Sequence, residues 1–151
     1  MKTLTICLFL FLISFAGKEM KTLQSHKEVI NDSIPAHLKG DFMDDYGIRY
    51  SISDRVWIQQ PSIKYHIIRC NRKEQYLIAR NDHQNPSEAG LYTRIDYMSF
   101  DNMAPYLWGF CLTVYNAKTD SLAETTAQAD KKNPKKGCNG FPFSRMKKTG
   151  L

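Results

Sequence analysis

The chain has 151 residues, 42% of them hydrophobic, with 21 lysines and arginines against 15 aspartates and glutamates and a net charge of +6. That length suits one domain with its own core and argues against several. No apolar run reaches the roughly 20 residues of a membrane-spanning helix.

Lys2 is followed by an apolar run from Leu4 to Ala16, broken only by Thr5 and Ser14, and then by Lys18 and Glu19. This is the pattern of a secretory signal, and Ser14-Phe15-Ala16 supplies the small residues that place cleavage after Ala16. A lipoprotein needs a cysteine at that junction, where Gly17 and Lys18 stand instead, and Leu4-Thr5-Ile6-Cys7 is a poor substitute. Removing residues 1–16 leaves 20 basic and 15 acidic residues, a net charge of +5, and no transmembrane segment. The mature chain is expected in the periplasm or outside the cell.

Residues 17–33 are polar without a sustained period and read as a tether; residues 34–151 read as a single domain. Ile34 to Leu38 suits one helical turn. Beyond it Ile48, Tyr50 and Ile52 alternate with Arg49, Ser51 and Ser53, the period-2 signature of a half-buried strand. Further strands are predicted at Val56 to Gln60, Ile63 to Cys70, Gln75 to Arg80, Leu91 to Phe100 and Tyr106 to Tyr115. Short turns such as Cys-Asn-Arg-Lys-Glu make neighbours antiparallel. In the last of these strands Trp108, Phe110, Leu112 and Val114 share one face, and Cys111 shares the other with Gly109 and Thr113.

Residues 121–132 form the predicted helix. Ser121 and Glu124 make a capping box, Leu122, Ala123, Thr126, Ala127 and Ala129 form the buried side, and Asn133-Pro134 ends it. Gly140 to Met146 then returns as a closing strand that Pro142 confines to a sheet margin. The fold class is mainly β: a small antiparallel barrel of about seven to eight strands with one C-terminal helix before the last strand.

Cys70, Cys111 and Cys138 survive signal removal, so an oxidising compartment predicts one disulfide and one leftover thiol. Three pairings are open. Cys111 with Cys138 is preferred because Gly137 and Gly140 free the backbone for bridging geometry.

The stretches at residues 38–59 (opening Leu38-Lys39-Gly40-Asp41-Phe42), 75–82 (Gln75 to Asp82), 90–97 (Gly90 to Tyr97), 109–115 (Gly109 to Tyr115) and 137–146 (Gly137-Cys138-Asn139-Gly140-Phe141-Pro142-Phe143-Ser144-Arg145-Met146) resemble, in this order, a group of uncharacterised exported bacterial proteins. The resemblance spans about residues 38–147 and implies export and a cysteine pair matching Cys111 and Cys138; it implies no function. The chain is also similar to the lipocalin and calycin barrels, whose Gly-x-Trp start Gly40-Asp41-Phe42 echoes with phenylalanine for tryptophan. That likeness implies that Arg145 packs over the first-strand aromatic.

No nucleophile elbow, zinc-binding helix pair or phosphate loop accompanies His66, Asp82, His83, Glu88 and Asp96, so no catalytic residue, metal ligand or cofactor is assigned. Asp41, Asp44 and Asp45 lack the spacing of a calcium loop. The aromatic content is the better lead. A cup-shaped barrel lined by Tyr50, Trp57, Trp108 and Phe110 would take a small apolar or aromatic ligand in its mouth, whereas in a barrel this small the aromatic side chains can instead fill a closed core. The alternative is a protein or envelope-surface interaction module, in which Lys131, Lys132, Lys135 and Lys136 of the basic C-terminal region meet an anionic surface. A hydrolase-type enzyme ranks third, and no nucleic-acid partner is expected.

Overall fold

Eight strands close into one antiparallel barrel in the computed structural model, which describes residues 32–150. The expected signal at residues 1–16 and most of the expected tether at residues 17–33 lie outside the described residues. The strands are β1 (Gly40–Asp44), β2 (Arg49–Ile52), β3 (Val56–Gln59), β4 (Ile63–Asn71), β5 (Tyr76–Asn81), β6 (Tyr92–Ser99), β7 (Trp108–Ala117) and β8 (Ser144–Lys148). Each pairs with its sequence neighbour, and β8 joins β7 to β1 through Trp108–Met146 and Phe42–Lys148. Phe42 and Met43 belong to a strand of their own, separated from β2 by a turn that Asp44 organises. Its Oδ1 accepts the Tyr46 and Ile48 amides, and its Oδ2 accepts the Tyr50 hydroxyl.

The interior is filled by side chains on the inward positions of the strands. Phe42, Tyr50, Trp57, Leu77, Ile95, Tyr97, Trp108, Phe110 and Met146 are all buried in one cluster. Segments outside the strands tie onto the barrel near each end. At one, Ile34 and Leu38 enter this cluster, while the Asp32 amide donates to the Cys70 carbonyl and the Arg72 amide to the Asp32 carboxylate. Asp32 and Ser33, read as the end of the tether, are thus part of the barrel. At the other end the Asn85 side chain clasps the Lys64 backbone through both its N–H and its C=O, tying the 82–91 loop to the start of β4.

A second layer covers the outside of β5, β6 and β7, and here several expectations are corrected. The helix, α1, runs only over Asp120–Thr125. Its N-cap is Thr119, whose hydroxyl accepts the Leu122 amide. Glu124 closes no capping box with Ser121, because its carboxylate accepts from Arg69 of β4 and the Tyr76 hydroxyl of β5. Beyond Thr126 the chain is drawn onto the sheet instead of continuing as helix: Arg94 donates to the Glu124 carbonyl and the Ala129 amide to Asp96. Ala123 and Ala129 are buried as expected, whereas Leu122 and Thr126 face solvent.

Val114 does not share the inner face with Trp108 and Phe110. The β6–β7 register slips between the Arg94–Val114 and Ile95–Leu112 pairs, so one extra residue, Thr113, reverses the alternation. Val114 therefore packs outside the barrel with Tyr76, Ile78 and Ala123. The closing strand begins at Ser144, leaving Pro142 in the preceding loop, where it takes nothing from the ladder. Cys111 bonds Cys138 across 27 residues, tying that loop to β7 above a small outer cluster of Ala129 and Phe143.

Candidate binding groove on the outer wall

The four rings expected to line a barrel mouth do converge, but on one another. Trp57 lies 5.0 Å from Phe110, 5.8 Å from Trp108 and 6.0 Å from Tyr50, centroid to centroid, all edge to face. Phe42 adds its edge contact to Trp108 at 5.2 Å. This is close-packed core geometry. Tyr50 also borders a surface depression, with Arg49, Gln60 and Pro61. The Trp57 and Trp108 indole N–H groups find no acceptor among the described residues.

A different concavity is lined by apolar side chains. It is a groove of about 510 Å³ on the outer wall, over β8 and the adjoining ends of β1 and β7. Three segments distant in sequence build it. Phe100 packs against Gly109 of β7, where a Cβ would stand 2.7 Å from its Cζ. Phe143 anchors the disulfide loop with its side chain buried, and Pro134 and Pro142 flank it. Tyr46, on the β1–β2 turn, and Met103 form the open sides. Tyr46 is 68% exposed and Phe141, one residue from Pro142, is 71% exposed, so apolar surface continues beyond the groove.

Arg145 sits among these residues on the outer side of β8. It does not cover Phe42, which points into the barrel. Its backbone amide and Nε both donate to the Asp45 carboxylate, at 3.1 and 2.8 Å, and its guanidinium lies 4.6 Å over the Tyr106 ring. The Asp45 contact raises its already high pKa, so it stays cationic. Lys135 lines the groove beside it. Lys132 and Lys136 are exposed nearby in sequence, but Lys131 leaves this basic run: its Nζ donates to Asp96 and to the Glu74 carbonyl.

The titratable residues are dispersed. His66 pairs with Asp82 at 2.6 Å on an exposed part of the opposite wall, and that contact lowers the Asp82 pKa. His83 lies against Gly90, and Asp96 is sealed under the outer layer. Asp41, Asp44 and Asp45 are engaged separately by Ser51, the β1–β2 turn and Arg145. Among the described residues no three His, Cys, Asp or Glu side chains gather as a metal site. The groove was missed in the sequence because its walls are far apart in the chain and no period links them.

Comparisons with protein-family models, with curated proteins and with solved structures return no match for this chain.

Proposed function

We propose that this chain is an exported, non-catalytic binding domain that docks a protein partner in the outer groove. One observation carries the reading: the barrel interior is occupied by its own aromatic rings, while a groove of about 510 Å³ with exposed aromatic neighbours remains open outside. The Cys111–Cys138 bond supports residence in an oxidising compartment, in the periplasm or beyond the cell. Groove walls supplied by a disulfide-tied loop on a closed barrel are held in place before binding, which limits the entropy lost on association.

The test is site-specific photo-crosslinking in the host's exported fraction, with benzoylphenylalanine at Phe141 or at His66 on the far wall. A discrete adduct at position 141, absent at 66 and abolished by Met103→Glu, supports docking. Equal capture at both positions ends the reading.

A second reading keeps a small guest inside the barrel, favoured by the buried Trp57 and Trp108 N–H groups that lack a protein acceptor. Native mass spectrometry of protein purified from the host envelope distinguishes it: a reproducible added mass, lost in folded Trp108→Phe, supports an interior guest.

A further inference from the structure

We infer that the groove recognises a carboxylate beside an apolar side chain, on an exposed acidic segment of the partner, and that Arg145 is its receptor; the inference rests on the docking reading above. Asp45 accepts from the backbone amide and the Nε of Arg145, and Tyr106 supports one face of the guanidinium. The two terminal Nη amines have no hydrogen-bond acceptor among the described residues, and the side chain is 43% exposed. A guanidinium fixed in this way presents its outer pair of N–H groups as a fork, the geometry that takes a carboxylate through two parallel bonds.

Its surroundings select the rest of the ligand. Asp45 is the groove's one acid, and it already serves Arg145. Lys135 adds a second cation on the lining, with Lys132 and Lys136 exposed close by in sequence. The remaining walls, from Tyr46, Phe100, Met103 and Pro142, offer hydrocarbon and ring surface. An anion alone would leave those walls wet, and an apolar group alone would leave the guanidinium fork without a partner. A glutamate or aspartate next to leucine or phenylalanine satisfies both. A partner displaying only sugar or phosphate groups would engage the cations and leave the apolar walls unfilled.

Amide chemical-shift titrations of the mature chain with two blocked peptides test this, acetyl-Leu-Phe-Glu-Glu-Leu-amide and its counterpart with glutamine at both glutamate positions. The acidic peptide is expected to shift the Tyr46, Phe100, Met103 and Phe143 amides and to bind at least about tenfold more tightly than the glutamine peptide, about 1.4 kcal/mol. Arg145→Lys keeps the charge and loses the fork, so it should abolish most of that preference; Lys135→Gln should reduce it less. If Arg145→Lys fails to fold, the peptide pair on the unaltered protein and Lys135→Gln still decide. Equal groove binding by both peptides overturns the carboxylate inference and leaves docking intact. Groove shifts with vesicles of phosphatidylglycerol but with neither peptide overturn it in favour of a lipid surface. No groove shift with any of these probes removes the docking reading as well.

Discussion

Arg94 and Asp96, two residues apart on the outer side of β6, form a bidentate pair at 2.8 and 2.9 Å with 1% and 0% of their side chains exposed. Thr113, Lys131 and the Ala129 amide complete the shell around the carboxylate, and Tyr76 lies 4.0 Å from the guanidinium centre on its ring face. This cluster holds α1 and the segment after it against the barrel.

Asp96→Asn leaves Arg94 buried without its counter-charge and should destabilise the fold by roughly 3–5 kcal/mol. Burial raises the Asp96 pKa, but hydrogen bonds from Arg94 and Thr113 and the charges of Arg94 and Lys131 outweigh it, holding the carboxyl below its ordinary 3.8. A carboxyl depressed on folding stabilises fully above its ordinary value, and that contribution vanishes as pH falls through the depressed one. Urea unfolding from pH 7 to pH 2 should therefore show an acid loss below about pH 4 that is shallower in the variant. Identical pH profiles would remove Asp96 from the account.

Trp108→Ala should cost roughly 3–5 kcal/mol, because the indole is fully buried against Phe42, Trp57 and Phe110. Tyr46→Ala, at the groove's open side, should stay within about 0.5 kcal/mol of the parent. Chemical denaturation of the two variants checks the contrast. A Trp108→Ala protein of parental stability would mean that the ring is not part of a packed core.

Replacing Cys111 and Cys138 together by serine releases a 27-residue constraint and should lower stability by roughly 3–4 kcal/mol in the chain-entropy account. Calorimetry should show the melting temperature falling by roughly 10–20 °C. The groove should suffer as well, since Phe143, Pro142 and Pro134 depend on the loop that the bond restrains.

Cys70 is the free cysteine of the described residues, buried under Ile34 and Leu38. Burial, reinforced by the Asp32 charge, pushes its thiol up to about 11 from an ordinary 9.0. At pH 8 that lowers the thiolate fraction roughly a hundredfold. An aromatic disulfide reagent should label it slowly in native protein and promptly in urea. Prompt stoichiometric labelling without urea would show that the 32–38 segment does not seal this end.

Where one local rule acted alone, the sequence was readable. The period-2 alternation of Tyr50 and Ile52, the turns after Cys70 and Ile52, and the glycines around Cys138 all lead to features present in the barrel. Errors arose where distant groups compete with a local preference. Glu124 serves Arg69 and Tyr76 rather than a cap, and Thr113 is pulled to Asp96 within a bulge that turns Val114 outward. The candidate site was the least legible part. Aromatic abundance revealed that rings mattered and made a core filled by Trp57 and Trp108 one of its two readings, but not that Tyr46 and Phe141 remain outside.

Closure of the ladder through β8 also limits how a partner can bind. Among the described residues each strand has a hydrogen-bonded neighbour on both sides, so β8 beneath the groove is not a free edge strand that a visiting peptide could extend. Docking in the groove, as proposed, would then be written in side chains. A mode that reads backbone tolerates most substitutions in its target; one built on Arg145, Phe100 and Met103 would make the partner's sequence, more than its extended shape, the determinant of selection.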